Sequence, residues 1–216
     1  MKIAIIGATG FVGKALVNEA LERGLQVLAV ARDTSKLTIA NDHLIKENVD
    51  VNDIDTLAKV LTGSDVVISS FNAGWTNPNI YEDNSKGLDS IEAAVVQSGV
   101  KHYIVIGGAG TLQIDGKQLV DGPDFPAEIK PGATSVRDYY NRLKENKVLD
   151  WTFFSPAIEM HPGITTGRTG KYRTGTTSPV FNAAGRSVLS VEDLSIALID
   201  EAQNPQFIKQ QFTAAY

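Results

Sequence analysis

The N-terminal stretch constrains the fold most. Lys2 to Ile6 (KIAII) is an apolar run with no polar interruption, and a glycine-rich turn, GATGFVG, follows at Gly7 to Gly13. FVGKALVNEALERG then carries an apolar stripe at Val12, Ala15, Leu16 and Ala20, and QVLAVA is a second unbroken apolar run. Short runs without alternation fit strands buried on both faces, and the spacing between them fits an amphipathic helix that ends at Gly24. A strand, a tight turn, a helix and a second strand form a right-handed crossover unit, which commits the chain to a parallel sheet covered by helices.

The alternation continues. TSKLTIA is expected as a short helix and HLIKENV as a weaker strand. DIDTLAKVLTG reads as a helix with Asp53 as its N-cap, and SDVVISSF as a fourth strand. EDNSKGLDSIEAAVVQSG reads as a longer helix closed by Gly99, and KHYIVIGG as a fifth strand. Beyond Gly108 the pattern breaks into a Gly-, Pro- and Asp-rich stretch with a hairpin signal at Asp115-Gly116. A helix, ATSVRDYYNRLKEN, and a sixth strand, DWTFFS, come next. Pro156 to Gly185 is again irregular; the helix SVEDLSIALIDEAQN and QFIKQQFTAAY, expected as an edge strand, close the chain. The fold class is therefore α/β, a Rossmann-like doubly wound parallel sheet with a small loop-built substrate lobe. One domain over 1–216 is expected, with lobe segments at about 109–132 and 156–187. Both segments flank the sixth strand and should rise from the carboxyl edge, where open α/β sheets place their ligands.

The glycines have a chemical reading. A helix N-terminus offers free N–H donors and a partial positive charge, and a pyrophosphate reaches them only where no Cβ intervenes. Gly7 turns the chain off the first strand, Gly10 is expected under the phosphates, and Gly13 lets the helix pack against the sheet. Thr9 adds a hydroxyl, and the N–H groups of Phe11 and Val12 should point at the phosphates. Arg32 stands directly after the second strand, about twenty residues beyond the loop, where an acidic residue selects NAD and an arginine suits the 2′-phosphate of NADP. NADP is the expected cofactor and NAD the alternative, since Asp33 could instead face a ribose. Ser35 and Lys36 could add contacts.

Composition narrows the partners. The 216 residues carry a net charge of −5 and no cysteine, which argues against a nucleic-acid or anionic-membrane surface and removes disulfides and thiolate chemistry. No apolar run reaches membrane-spanning length. A cytoplasmic monomer or homodimer acting on a small-molecule acceptor is the expectation. The three histidines, His43, His102 and His161, show no metal-ligand spacing.

IAIIGATGFVGKALV, VLAVARDTSKL, DVVISSF, GVKHYIVIGGAGTL, LDWTFFSPA and SVEDLSIALIDE resemble the atypical short-chain dehydrogenase/reductase family, in particular its NAD(P)H-flavin reductases of the biliverdin reductase B type. The resemblance covers nearly the whole chain and specifies cofactor better than substrate. It implies adenine contacts at Asp50 and Val51 and a ribose-side segment at Phe71, Asn72 and Ala73. It further implies a nicotinamide-facing segment from Gly107 and Gly108 to Thr111, and a turn at Ser155, Pro156 and Ala157 against the nicotinamide. Asp50 reads equally well as a cap or turn residue.

Typical short-chain dehydrogenases use a Tyr-x-x-x-Lys pair to move the substrate proton. YNRLK, Tyr140 and Lys144, has that spacing, but the resemblance places the pair further upstream, Tyr near Ala133 and Lys near Arg137. Thr111, near the Ser/Thr position of that triad, and His161, a loop histidine, are the candidate catalytic residues. A site without Tyr and Lys suits hydride transfer to FMN or FAD, taken as substrate rather than bound cofactor, or to a similar planar acceptor. Trp75, Phe125, His161 and Tyr172 are candidate walls for it, and Arg168, Lys171 and Arg173 could attract an anionic group. A non-catalytic NADP(H)-binding redox sensor and an epimerase or dehydratase are the alternatives.

Overall fold

The computed structural model describes residues 1–216. Ten strands and five helices follow one another as β1 (Lys2–Ile6), α1 (Phe11–Glu22), β2 (Gln26–Ala31), β3 (Leu44–Asn48), α2 (Ile54–Leu61), β4 (Val66–Ser69), α3 (Ile80–Ser98), β5 (His102–Ile106), β6 (Gln113–Ile114), β7 (Lys117–Gln118), α4 (Lys130–Leu143), β8 (Asp150–Phe154), β9 (Arg173–Gly175), α5 (Val191–Gln203) and β10 (Gln210–Ala215). Eight strands make one sheet in the order β3-β2-β1-β4-β5-β8-β10-β9, and β6 pairs with β7 as a separate hairpin. Every pairing in the large sheet is parallel except β9 on β10. The order reverses between β1 and β4, and a doubly wound sheet opens its ligand crevice at that point.

Strand alternation divides the core in two. Ile3, Ile5, Val27, Ile68, Ile104, Phe154 and Phe212 face α1 and α5, in a cluster of 24 buried residues. Ala4, Ile6, Leu28, Val67, Tyr103, Val105 and Phe153 face α2, α3 and α4, in a cluster of 23. Near-equal burial on both faces explains the unbroken apolar strands. Local chemistry sets the helix ends: Asp53 accepts from the Thr56 N–H at the start of α2, Ser190 accepts from the Asp193 N–H at the start of α5, and Gly99 closes α3 at φ +80°. No helix is long and apolar enough to cross a membrane.

Three expectations change. TSKLTIA forms only one 3-10 turn, Thr34–Lys36, because Asp33 caps that turn and Leu37 then leaves it in extended conformation to bury its side chain. Helix α4 starts at Lys130 rather than Ala133, since Pro131 is tolerated in a first turn. Finally, β10 is an interior strand. Arg173–Gly175, read as loop, covers its outer side and becomes the edge.

Candidate functional site

Gly7 leaves β1 at φ +78°, and a Cβ there would meet Ser70 O and Oγ at 2.9 Å. The Gly7 and Ala8 N–H groups both donate to Val30 O, at 2.9 and 3.2 Å, and so lock the turn to β2. At Gly13 a Cβ would lie 2.2 Å from Gly7 O and 2.8 Å from Ala8 Cα. Gly13 thus brings α1 down onto the loop itself rather than onto the sheet. Gly10 meets only Gly7 O, at 3.3 Å, and its outer side stays open. Its N–H donates to Gly7 O, whereas the N–H groups of Thr9, Phe11, Val12 and Gly13 have no acceptor in the fold. Helix α1 has no side-chain cap and no acidic residue in its first turn. Four free donors at a positive helix end, over a glycine floor, fit a pyrophosphate.

Arg32 follows β2 directly, exposed and without an ion-pair or hydrogen-bond partner. Asp33 is turned back into its own turn: its carboxylate accepts from the Ser35 hydroxyl at 2.6 Å and the Ser35 N–H at 3.0 Å. The Ser35 hydroxyl bond is the main reason its carboxyl is held below the usual range. Asp33 and Ser35 therefore satisfy each other, and Arg32 is the free group. At the end of β3, Asp50 accepts from the N–H and side-chain amide of Asn52, which gives it a turn role, while Val51 is buried.

The segment after β4 is held from below. The Phe71 ring lies over Gly87 of α3, where a Cβ would come within 2.3 Å of it. Asn72 accepts from the Gly74 N–H, and the Ala73 N–H donates to Asn84 Oδ1 at 2.7 Å. Buried Asn84 donates on to Ser135 Oγ, which donates to Gly132 O. Sequence reasoning missed this chain; its one signal is a polar Asn84 on the buried side of α3.

After β5, Gly107 is required by the Phe153 ring, which a Cβ would approach to 2.1 Å, while Gly108 faces open space. Thr111 is fully buried, and its hydroxyl donates to Gly108 O at 2.8 Å, shares a 2.7 Å hydrogen bond with Ser155 and accepts from Gln211 Nε2 at 3.1 Å. The hydroxyl points inward and ties the loops after β5 and β8 to β10. Pro156 is buried beside Ser155. His161 lies apart on an exposed loop, where its Nδ1 accepts from the Gly163 N–H.

The remaining candidates separate. Tyr140 is buried, its ring 4.4 Å from that of Phe153 and 6.4 Å from that of Trp151, with Lys144 Nζ 4.8 Å over its face. Burial pushes its phenol up, away from proton transfer near neutrality. One turn upstream stands half-buried Arg137, bound to Asp121 and Asp138, and two turns upstream buried Ala133. Trp75 is exposed, and its indole rests against Gly132; Phe125 covers Gly110. The Tyr172 hydroxyl donates to Asp200 near the end of α5, so this ring is committed there rather than to an acceptor wall. Arg168 pairs with buried Glu19 and Arg173 donates to the Phe181 and Tyr216 carbonyls, leaving Lys171 alone of the three cations unpaired.

A doubly wound parallel sheet with a glycine turn and a donor cradle at its switch point defines a dinucleotide-binding Rossmann-type protein. The chain belongs to the NAD(P)H-binding family, whose model matches residues 7–205. It is 32% identical to protein YwnB of Bacillus subtilis over 99% of this chain and 97% of that one. A Bacteroides thetaiotaomicron structure assigned provisionally as an epimerase is 42% identical, with TM-score 0.91 over 100% of this chain and 96% of that one. A Streptococcus pneumoniae structure assigned provisionally as an NADH-flavin reductase is 34% identical, with TM-score 0.87 over 100% and 99%. The resemblance to atypical short-chain dehydrogenases/reductases agrees with these neighbours.

Proposed function

We propose that the protein is an NADP(H)-dependent reductase that delivers hydride to a free flavin or a similar planar acceptor. The observation that carries this reading is the pairing of a cradle of free N–H donors with an α4 that presents Ala133 and ion-paired Arg137 in place of a Tyr–Lys pair. The Thr9 to Gly13 donors hold the pyrophosphate, and Arg32, with no internal partner, takes the 2′-phosphate. When bound, reduced nicotinamide supplies the hydride, and a solvent proton completes reduction of the acceptor. A Cβ at Gly108 would meet no neighbour within 4 Å, and Thr111, Ser155 and Gln211 fix the loops after β5 and β8.

A carbonyl or sugar substrate needs a proton donor at the reacting oxygen. Here Ala133 and ion-paired Arg137 occupy the stretch of α4 where the resemblance places such a group, and Tyr140 is packed into the core. That disfavours epimerase or dehydratase chemistry, whatever the provisional name of the Bacteroides relative.

The test is to follow NADPH and NADH oxidation by the purified protein with and without FMN. Flavin-dependent oxidation, with NADPH preferred, is the expected result. Nucleotide binding without flavin turnover would refute the reductase reading.

A further inference from the structure

We infer that Trp75 is the acceptor-binding platform of this site, and that its indole selects acceptors with a fused planar ring. The inference rests on the reductase reading.

An exposed indole needs an explanation, and Trp75 is 58% exposed while the other tryptophan, Trp151, is 3% exposed in the core. The exposure is built in. Asn72 accepts from the Gly74 N–H, the Asn77 N–H donates to Gly74 O, Asn77 accepts from the Asn79 N–H, and the Asn77 amide donates to Asp83. Gly74, at φ +105° with open space where its Cβ would point, takes the sharp step that presents the next residue outward. The loop is thus ordered with its one large apolar side chain facing solvent.

The indole also has a prepared seat. A Cβ at Gly132 would lie 3.0 Å from Trp75 Cζ3 and 2.8 Å from Ile80 Cδ1, so any larger residue at the start of α4 would displace the ring. The buried Asn84–Ser135 chain fastens that seat to the loop, from the Ala73 N–H to Gly132 O. The placement matters because this loop leaves β4 at the carboxyl edge, on the strand beside the switch point. The neighbouring strand, β5, leads into Gly110, which the Phe125 ring covers. The loop after β4 thus carries Trp75 and the loop after β5 is covered by Phe125, and of these two aromatic side chains Trp75 is the exposed one. Stacking on an indole favours a wide flat ring and tolerates variation at its edges.

The experiment compares Trp75→Phe and Trp75→Leu with the wild type, using NADPH and FMN as probes. Leucine keeps apolar bulk on Gly132 without a ring, and phenylalanine keeps a smaller ring. In the leucine variant we expect KM for FMN to rise about tenfold, with KM for NADPH and kcat within about twofold of wild type, and in the phenylalanine variant a rise of less than about threefold. FMN added to the protein loaded with NADP should quench the tryptophan emission of the wild type by a larger fraction than the residual Trp151 emission of either variant. Flavin turnover with an unchanged KM for FMN in the leucine variant overturns the inference and leaves the reductase reading standing, as does turnover without quenching. Absence of flavin turnover in the wild type overturns both.

Discussion

Replacing Arg32 by alanine tests the proposed contact with the 2′-phosphate that would separate the two nicotinamide dinucleotides. The guanidinium has no protein partner, so binding a phosphate breaks no internal ion pair. The nearest acidic competitor in sequence, Asp33, is already satisfied by the hydroxyl and N–H of Ser35. The full charge-assisted contact is therefore available, in a class of hydrogen bond that contributes about 1.5–3 kcal/mol. Exposure places Arg32 in the lower half of that range, about 2 kcal/mol, because solvent screens the charges. That corresponds to about a thirtyfold weaker Kd for NADPH. NADH lacks the 2′-phosphate and should lose less than about twofold, so preference for NADPH should nearly vanish in Arg32→Ala. Calorimetric titration of both nucleotides at low and at physiological ionic strength reads the difference, which should shrink as the salt rises. A loss for NADPH below about threefold, or an equal loss for NADH, would show that Arg32 does not face the 2′ position.

Other perturbations test other parts of the site. Gly13→Ala drives a Cβ to 2.2 Å from Gly7 O; overpacking of about 2 kcal/mol should lower the thermal midpoint by about 4–8 °C and weaken NADPH binding more than tenfold. Tyr140→Phe should leave FMN-dependent turnover within about twofold of wild type, since a catalytic phenol would cost about a hundredfold or more. Glu19→Gln should loosen the loop that Arg168 fastens to α1, seen as faster tryptic cleavage after Arg168 with little change in kcat. Burial raises the Asp193 carboxyl, but bonds from the Thr169 and Tyr216 hydroxyls and the Gly170 and Thr169 N–H groups outweigh it and leave it below its ordinary value. Its stabilisation is complete above the unfolded value near pH 3.9 and fades as pH falls through the folded one, so urea melts below about pH 4 should lose stability faster in wild type than in Asp193→Asn.

The glycine loop was legible because it is written in backbone geometry. Only glycine accepts φ +78° at position 7 or a neighbour at 2.2 Å at position 13, so steric need and residue type coincide. The loops after β5 and β8 are held together by side chains far apart in the chain. Thr111, Ser155 and Gln211 meet from three segments, and nothing local to any of them announces the meeting. Glu19 reads as a surface residue on its helix, yet it is 3% exposed because Arg168, from the loop after β8, closes over it. The three-residue β9 has no period to detect and becomes a strand because β10 offers it an edge.

The Tyr140-x-x-x-Lys144 spacing shows how one pattern can serve a different physical end. Spacing fixes that two residues share a helix flank but not what that flank meets. Here the flank meets β8: Tyr140 stacks 4.4 Å from Phe153, and Phe153 in turn fills the space that Gly107 leaves by having no Cβ. Lys144 covers the outer face of the same phenol ring. The tyrosine therefore supports the floor beneath the loop after β5 through its ring, while its hydroxyl is dispensable. A proton-donating tyrosine must stand at the edge of the site with its oxygen presented to substrate; a ring that braces the sheet from below cannot do both. With the motif committed to packing, the proposed chemistry of the carboxyl edge is one of binding, stacking and hydride delivery, and it would rest on Arg32, on the free donors of the glycine loop and on exposed Trp75.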